Sequence, residues 1–152
     1  MMGISVTIQA AIFDAGDLVN QFTRDIPEAG AVATFTGLVR SKPEQPIKAL
    51  ILEHHPTMAQ KQIERFAQEA VDKFGLLAIQ VVHRFGEMKV GEPIVQVMAA
   101  SSHRQAAFDG ANYVMDWLKT DAPFWKKEVG ADGAHWVEAR DKDEAAKGKW
   151  TK

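Results

Sequence analysis

Two long segments of the chain carry apolar residues at helical spacing. Residues 58–74 place them three or four positions apart, and residues 103–120 place them on a single stripe. A capping box that begins at Thr57 and a glycine at position 75, Gly75, mark the two ends of the first segment. The pattern predicts two main helices and a weaker third helix over residues 17–24.

Short runs rich in β-branched and aromatic residues fill the spaces between these helices. Several runs follow one another with only turn-like residues between them, so the order is not a strict βαβα alternation. We therefore predict an α+β fold with a mixed, mostly antiparallel sheet in a single domain over residues 1–139, and a charged C-terminal tail of the same domain over residues 140–152. The predicted strands are residues 4–9, 31–39, 49–54, 78–83, 94–100, 124–129 and 135–139.

Composition and charge narrow the possible functions. The chain has 152 residues, of which 46% are hydrophobic and 25% charged, as in an ordinary soluble globular domain. Its 18 lysines and arginines against 20 aspartates and glutamates leave a net charge of −2, so no general basic surface favours nucleic acid or an anionic membrane. The absence of cysteine excludes thiolate nucleophiles and cysteine-based metal sites. Since there is no basic leader and no run of ~20 apolar residues, we expect a cytoplasmic protein.

The sequence contains little that suggests a metal or a cofactor. His54 and His55 follow Glu53, but neighbouring residues on a strand point to opposite faces, and no third ligand stands at metal spacing. Phosphate-binding, dinucleotide-binding, serine-nucleophile and zinc-protease motifs do not occur. We therefore expect no metal site, and the sequence offers no motif for a nucleotide cofactor.

Two lysines near the end of the second main helix are candidates for chemistry. Lys119 lies in the last predicted turn, and the strand that follows alternates so that Lys126 shares a face with Phe124 and Glu128 while Lys127 takes the other face. A lysine acts as a nucleophile or base when neighbouring cations and burial favour its neutral form. The alternative for Lys119 is a purely structural cation at the end of a helix dipole.

The start of the same helix is a candidate anion site. Ser102, His103 and Arg104 follow directly from an apolar strand, so free backbone amides and two side-chain donors meet at one helix N-terminus. The alternative is that both donors are solvated first-turn residues. A position of Arg104 near Lys119 and Lys126 would give those lysines the cationic setting that activates them.

A third candidate segment, residues 33–40, is a β-branched run that contains Gly37 and ends on Arg40. The glycine predicts a bulge or a close approach of another backbone. Arg40 is either a solvated residue at the end of the strand or a third anion-binding group, depending on where the strand ends.

In order and spacing, these segments resemble the family of large, catalytic subunits of molybdopterin synthase. The resemblance covers most of the chain, and the absence of cysteine agrees with it, because this family takes its sulfur from a partner. The segments that carry it are TFTGLVR (34–40), LEHHPTM (52–58), VVHRFGEMKVGEPIV (81–95), SSHRQAAF (101–108), MDWLKTDAPFWKKE (115–128) and WVEAR (136–140).

The resemblance implies a sulfurtransferase of molybdenum cofactor biosynthesis. The family converts cyclic pyranopterin monophosphate to molybdopterin by building a dithiolene from two sulfurs, and it uses no metal or organic cofactor of its own. The sulfur donor is the thiocarboxylated C-terminal glycine of a small ubiquitin-like subunit. The implied fold is an α/β hammerhead. Two large subunits form a central homodimer with one small subunit at each end, giving a heterotetramer whose active site draws on both protomers.

Matching the motifs residue by residue implies the functional side chains. The catalytic lysine of the family matches Lys119, and its second essential lysine matches Lys126. We expect Lys119 to manage protons or transiently hold the acyl group, while Lys126 and Arg104 stabilise the phosphate as the cyclic ester opens. Besides the two lysines, the positions that hold the substrate match Leu38, Val39, Arg40, His103, Arg104, Lys127 and Glu128.

Other functions are compatible with the same cationic residues. A binding module would hold a phosphorylated or carboxylated ligand without chemistry and would tolerate Lys119→Arg, because the charge is kept. A phosphoester hydrolase that uses His103 as acid or base would form product without a sulfur donor. A purely structural role leaves the clustered cations unexplained.

Overall fold

The structure is a computed structural model that describes residues 3–120 and 122–137. The predicted tail over residues 140–152 and the end of the last predicted strand lie outside the described residues. No helix in the described ranges has the length and apolar composition needed to span a membrane. The elements in chain order are β1 (Gly3–Gln9), α1 (Ala15–Arg24), β2 (Ala31–Leu38), β3 (Ala49–His54), α2 (Pro56–Phe74), β4 (Ala78–Arg84), β5 (Gly86–Lys89), β6 (Pro93–Ser101), α3 (Arg104–Thr120), β7 (Phe124–Gly130) and β8 (Gly133–Val137).

The strands form two four-stranded sheets. The first has the order β1-β4-β6-β2, in which β1 and β4 are parallel and the other neighbours are antiparallel. The second has the order β5-β3-β7-β8 and is antiparallel. The predicted α+β fold with mixed, mostly antiparallel pairing is confirmed, and its strands divide between two sheets rather than one.

One strand, β5, does not follow from the sequence pattern, which indicates a strand end and turns in this region. The strand has four residues, of which only Met88 is buried. It pairs with β3, where Met88 lies opposite Leu50. A strand this short shows too little alternation to stand out from the turns around it.

Helices α2 and α3 cover one face of the first sheet, and α1 covers the other. Val81 of β4 belongs to the same buried cluster as Ile63 of α2 and Val114 of α3. On the opposite face, Met98 of β6 belongs to a cluster with Phe22 of α1. The chain leaves α3 and enters β7 of the second sheet within four residues, so the C-terminal end of α3 borders that sheet.

Of the two predicted caps of α2, the N-terminal one is wrong and the C-terminal one is confirmed. The N-cap is His55 rather than Thr57: Nδ1 of His55 accepts a hydrogen bond from the Met58 amide at 3.4 Å. The cap falls earlier because Pro56 occupies the first turn, where its fixed φ suits the helix and its missing N–H is not needed. At the other end Gly75 adopts a φ of 66° and donates its N–H to a carbonyl one turn back, as predicted.

A close backbone approach fixes the start of α3. The amide of Gly30, just before β2, donates to the Ser101 carbonyl at 3.0 Å. A Cβ at this position would lie 2.2 Å from the Ser102 carbonyl oxygen, so a side chain does not fit here. The Oγ of Ser101 also accepts a hydrogen bond from the His103 amide at 3.5 Å. The junction between β6 and α3 is therefore held from two sides.

A buried arginine, Arg84, ties together the strand ends near the second sheet. Its Nε donates to the Ala10 carbonyl at 3.2 Å, and its Nη1 donates to the Pro93 carbonyl at 3.0 Å and to Glu92 at 3.3 Å. A planar guanidinium has five N–H donors, so it can bond several acceptors at once. Because the Val39 amide donates to the Glu92 carbonyl at 2.9 Å, the anchoring extends to the end of β2.

Candidate active site

A cavity of about 890 Å³ opens beside the second sheet. Its walls come from the end of β2 and the loop after it, from the last turn of α3, and from β7 and β8. Positive charge dominates these walls although the whole chain carries a net charge of −2, and such a local excess attracts anions. The charged residues that line the cavity are Arg40, Lys42, Lys119, Lys126, Glu128 and Asp132.

Lys119 and Lys126 reach this cavity from two different elements. Lys119 stands in the last turn of α3, where a cation also suits the helix dipole. Lys126 lies on β7 and shares its strand face with Phe124 and Glu128, and all three line the cavity. The predicted alternation along β7 is confirmed, and the structure brings the two lysines to one cavity.

Lys127 lies on the other face of β7. Its Nζ is 4.2 Å from the ring centroid of Trp136 and 3.5 Å from Oε1 of Glu53. The residue does not line the cavity. The structure therefore separates Lys127 from Lys126, as the alternation of the strand requires.

The end of β2 supplies another wall of the cavity. The pairing register with β6 shifts between Gly37 and Leu38, an irregularity that agrees with the first of the two predicted explanations for Gly37, a bulge. Val39 is buried, with its backbone N–H and C=O both bonded to the turn before β6, whereas Leu38 and Arg40 are exposed. Since Leu38, Val39 and Arg40 all line the cavity, this predicted group borders the same space as the two lysines.

His103 and Arg104 lie at the opposite end of α3 from Lys119. Arg104 is the first residue of the helix and Lys119 the last but one, and at 1.5 Å per residue they are roughly 22 Å apart along its axis. Both His103 and Arg104 are exposed, and neither lines the cavity. The expected closeness of Arg104 to Lys119 and Lys126 does not occur within one chain, because a straight helix keeps its two ends apart.

The structure adds His83, which the sequence pattern does not distinguish from an ordinary core histidine. It is 7% exposed, its Nδ1 lies 2.9 Å from the Arg84 carbonyl oxygen, and its ring stacks on Phe124 with centroids 4.0 Å apart. Burial is the main reason that the pKa of His83 is lowered to about 4. The bond to the Arg84 carbonyl opposes this effect, and the charges of Lys119 and Lys126 add to it. His83 is therefore a neutral ring within electrostatic range of both lysines.

A second histidine packs against the same phenylalanine. The ring centroid of His54 lies 5.7 Å from that of Phe124, with the rings 15° from parallel, and 4.4 Å from that of Phe85. Burial, and then the neighbouring His55, lower the pKa of His54. The described residues contain no group of three potential metal ligands.

We expect the buried His83 to make the stability of the fold depend on pH. An unfolded histidine has a pKa of ~6.5, whereas that of His83 in the fold is about 4. Above pH ~6.5 both states are neutral and the stabilisation is complete, but below it the unfolded chain binds a proton that the folded chain does not. The free energy of unfolding should fall by about 3 kcal/mol between pH 7 and pH 4 from this group alone. Urea unfolding of the unmodified chain and of His83→Gln, which cannot titrate, checks this: equal pH dependence of the two proteins would contradict it.

Comparisons of the sequence and of the structure with known proteins point to the same family. The family model described as MoaE protein matches residues 8–121. The chain is 51% identical over 151 residues to the molybdopterin synthase catalytic subunit of Rhizobium meliloti (strain 1021), covering 98% of this chain and 97% of the relative. The molybdopterin biosynthesis MoaE protein from Burkholderia ambifaria MC40-6 gives a TM-score of 0.83 at 40% identity, covering 98% of this chain and 99% of that chain. The molybdopterin synthase of Staphylococcus aureus gives a TM-score of 0.79 at 28% identity, covering 87% of this chain and 96% of that chain.

Proposed function

The chain belongs to the MoaE protein family and is a catalytic subunit of molybdopterin synthase, and from this premise we propose how its residues carry out the reaction. The enzyme is a sulfurtransferase that converts cyclic pyranopterin monophosphate to molybdopterin. Two sulfurs enter the pterin side chain as a dithiolene, and the cyclic phosphate ester opens. The sulfur comes from the thiocarboxylated C-terminal glycine of a small ubiquitin-like subunit.

The observation that carries the assignment of residues is the cavity shared by Lys119 and Lys126. Both substrates are anions: one is a cyclic phosphate and the other a thiocarboxylate. Arg40 and Lys42 add positive charge to the same walls. Fixed cations in a cavity stabilise such anions and the charge that develops as bonds break.

The two lysines then have distinct roles. Lys119 manages protons at the reacting centre or holds the acyl group of the donor glycine after its sulfur has left. Lys126 faces the same cavity from β7 and stabilises the phosphate as the ester opens. Arg40 holds the anionic substrate from the end of β2.

The remaining predicted residues have supporting roles. Leu38 and Glu128 form part of the wall against which the substrate lies. Because the backbone groups of Val39 are already bonded to the turn before β6, its role is to keep the shape of that wall. Lys127 faces away from the cavity, so it acts on the site only by fixing β7 through Glu53.

His103 and Arg104 enter this scheme through a second copy of the chain. They are exposed at the far end of α3, too distant from Lys119 to act in the same site. In the homodimer at the centre of the heterotetramer, Arg104 of the partner subunit reaches the cavity and helps Lys126 to hold the phosphate. The cytoplasm is the proposed compartment of this assembly.

Reconstitution tests the proposed function. We expect purified protein, cyclic pyranopterin monophosphate and the thiocarboxylated small subunit to give the dithiolene product, and a donor that lacks the thiocarboxylate to give none. The phosphoester hydrolase predicts that the cyclic ester opens without any donor, and a binding module predicts no product with either donor. Failure with a donor that is competent beside a known synthase would overturn the proposal.

A further inference from the structure

The mechanism above leaves one buried polar group beside the lysines unused, the imidazole of His83. The residue lies near the end of β4 on the face that also carries Ile79 and Val81, because side chains alternate along a strand. Ile79 and Val81 belong to the core beneath α2 and α3. His83 therefore stands on the helix side of the sheet, at the end where α3 finishes with Lys119.

Phe124 connects this imidazole with the cavity. Its ring stacks on His83 and also lines the cavity together with Lys119 and Lys126. Both lysines act electrostatically on the His83 ring, from α3 and from β7 respectively. His83 itself does not line the cavity: it stands behind Phe124, within electrostatic range of both lysines.

The hydrogen bonding of His83 fixes which ring nitrogen carries the proton. A carbonyl oxygen only accepts, so the contact of 2.9 Å between Nδ1 and the Arg84 carbonyl places the hydrogen on Nδ1. A neutral imidazole has one ring hydrogen, and Nε2 is then an acceptor with a lone pair. The charged and titratable groups that act on this ring are Lys119 from α3, Lys126 from β7 and His54 from β3.

We propose that His83 is a positioning residue for Lys119, whose ammonium group donates a hydrogen bond to Nε2 of the neutral ring. The Arg84 carbonyl holds the tautomer and Phe124 holds the plane of the ring, so the acceptor has a fixed direction. An exposed lysine at the end of a helix otherwise samples many rotamers. A fixed acceptor behind Phe124 restricts Lys119 to the rotamers in which Nζ stays beside this wall of the cavity.

This inference rests on the proposed function for its kinetic test, and two variants divide the ring nitrogens between them. His83→Asn keeps a donor near the place of Nδ1 and loses the acceptor at Nε2, whereas His83→Gln keeps an acceptor near Nε2 and loses the Nδ1 donor. We expect His83→Asn to lower kcat roughly tenfold with KM little changed, since a hydrogen bond to a charged group is lost. His83→Gln should retain most of the activity.

The pH profile of kcat separates positioning from a merely structural role. A hydrogen bond that an ammonium donates stabilises its charged form. We therefore expect an inflection of the kcat profile to move to lower pH in His83→Asn and to stay near its wild-type position in His83→Gln. The opposite order of the two variants, with His83→Gln the weaker enzyme and no movement in His83→Asn, would show that His83 acts only through its bond to Arg84.

A measurement without turnover keeps the inference testable if the variants fold poorly or the proposed function fails. In the nitrogen NMR spectrum of the folded chain, Nε2 of His83 should be unprotonated at neutral pH, and its resonance should move when Lys119 is replaced by methionine. Lys127→Met is the matched control, because Lys127 lies on the opposite face of β7. A protonated Nε2, or a resonance that does not respond to Lys119→Met, would overturn the inference even if product forms normally.

Discussion

Lys119→Ala is expected to lower turnover by roughly 10²–10⁴-fold, the range in which a positioned acid, base or nucleophile contributes. The fold should survive, because the side chain is exposed and its electrostatic benefit to the end of α3 is only ~0.3–1 kcal/mol. The measurement is single-turnover formation of the dithiolene product at saturating donor, beside the thermal midpoint of unfolding of each protein.

Two matched variants decide what the loss means. Lys119→Arg keeps the charge, so a site that only binds anions would keep its affinity, whereas proton transfer or acyl transfer at Nζ would fail. Lys127→Ala removes a lysine from the opposite face of β7 and should lower activity far less. Full activity of Lys119→Arg, or equal losses for Lys119→Ala and Lys127→Ala, would contradict a chemical role for Lys119.

Much of the fold can be predicted from local patterns. The long helices carry a clear apolar stripe, and Gly75 marks an end that only a left-handed residue closes well. The edge strand β5 and the division into two sheets do not follow from such patterns, because periodicity indicates that a strand exists and not which strand pairs with it.

The candidate site also contains parts that local patterns predict and parts that they do not. Strand alternation alone puts Lys126 and Lys127 on opposite faces of β7, but only the tertiary structure shows that the face of Lys126 borders the cavity. The separation of Arg104 from Lys119 depends on the length of α3 and on a second subunit, which the pattern of one chain does not contain. The properties of His83 could not be predicted because they depend on tertiary burial. Its neutral ring and fixed tautomer arise from packing against Phe124 and from the Arg84 carbonyl.

A heterodimer of two inactive variants is expected to recover about half of the wild-type turnover if each site combines residues of both chains. One protomer carries Lys119→Ala and the other Arg104→Ala, with different affinity tags, so that mixed dimers are isolated by two purification steps. One of the two sites then contains Lys119 from one protomer and Arg104 from the other, and the second site lacks both. Each variant alone, as a homodimer, should have little activity because every one of its sites is defective.

A second pair of variants serves as the control for this complementation. Lys119 and Lys126 line one cavity within a single chain, so a heterodimer of Lys119→Ala with Lys126→Ala has a defect in both of its sites and should stay inactive. Recovery in the first pair and none in the second would place Arg104 in the site of the neighbouring chain. Absence of recovery in the first pair, with intact mixed dimers, would mean that Arg104 does not act across the dimer. The geometry of α3 would then exclude it from the site of its own chain as well, and its role would lie elsewhere on the surface.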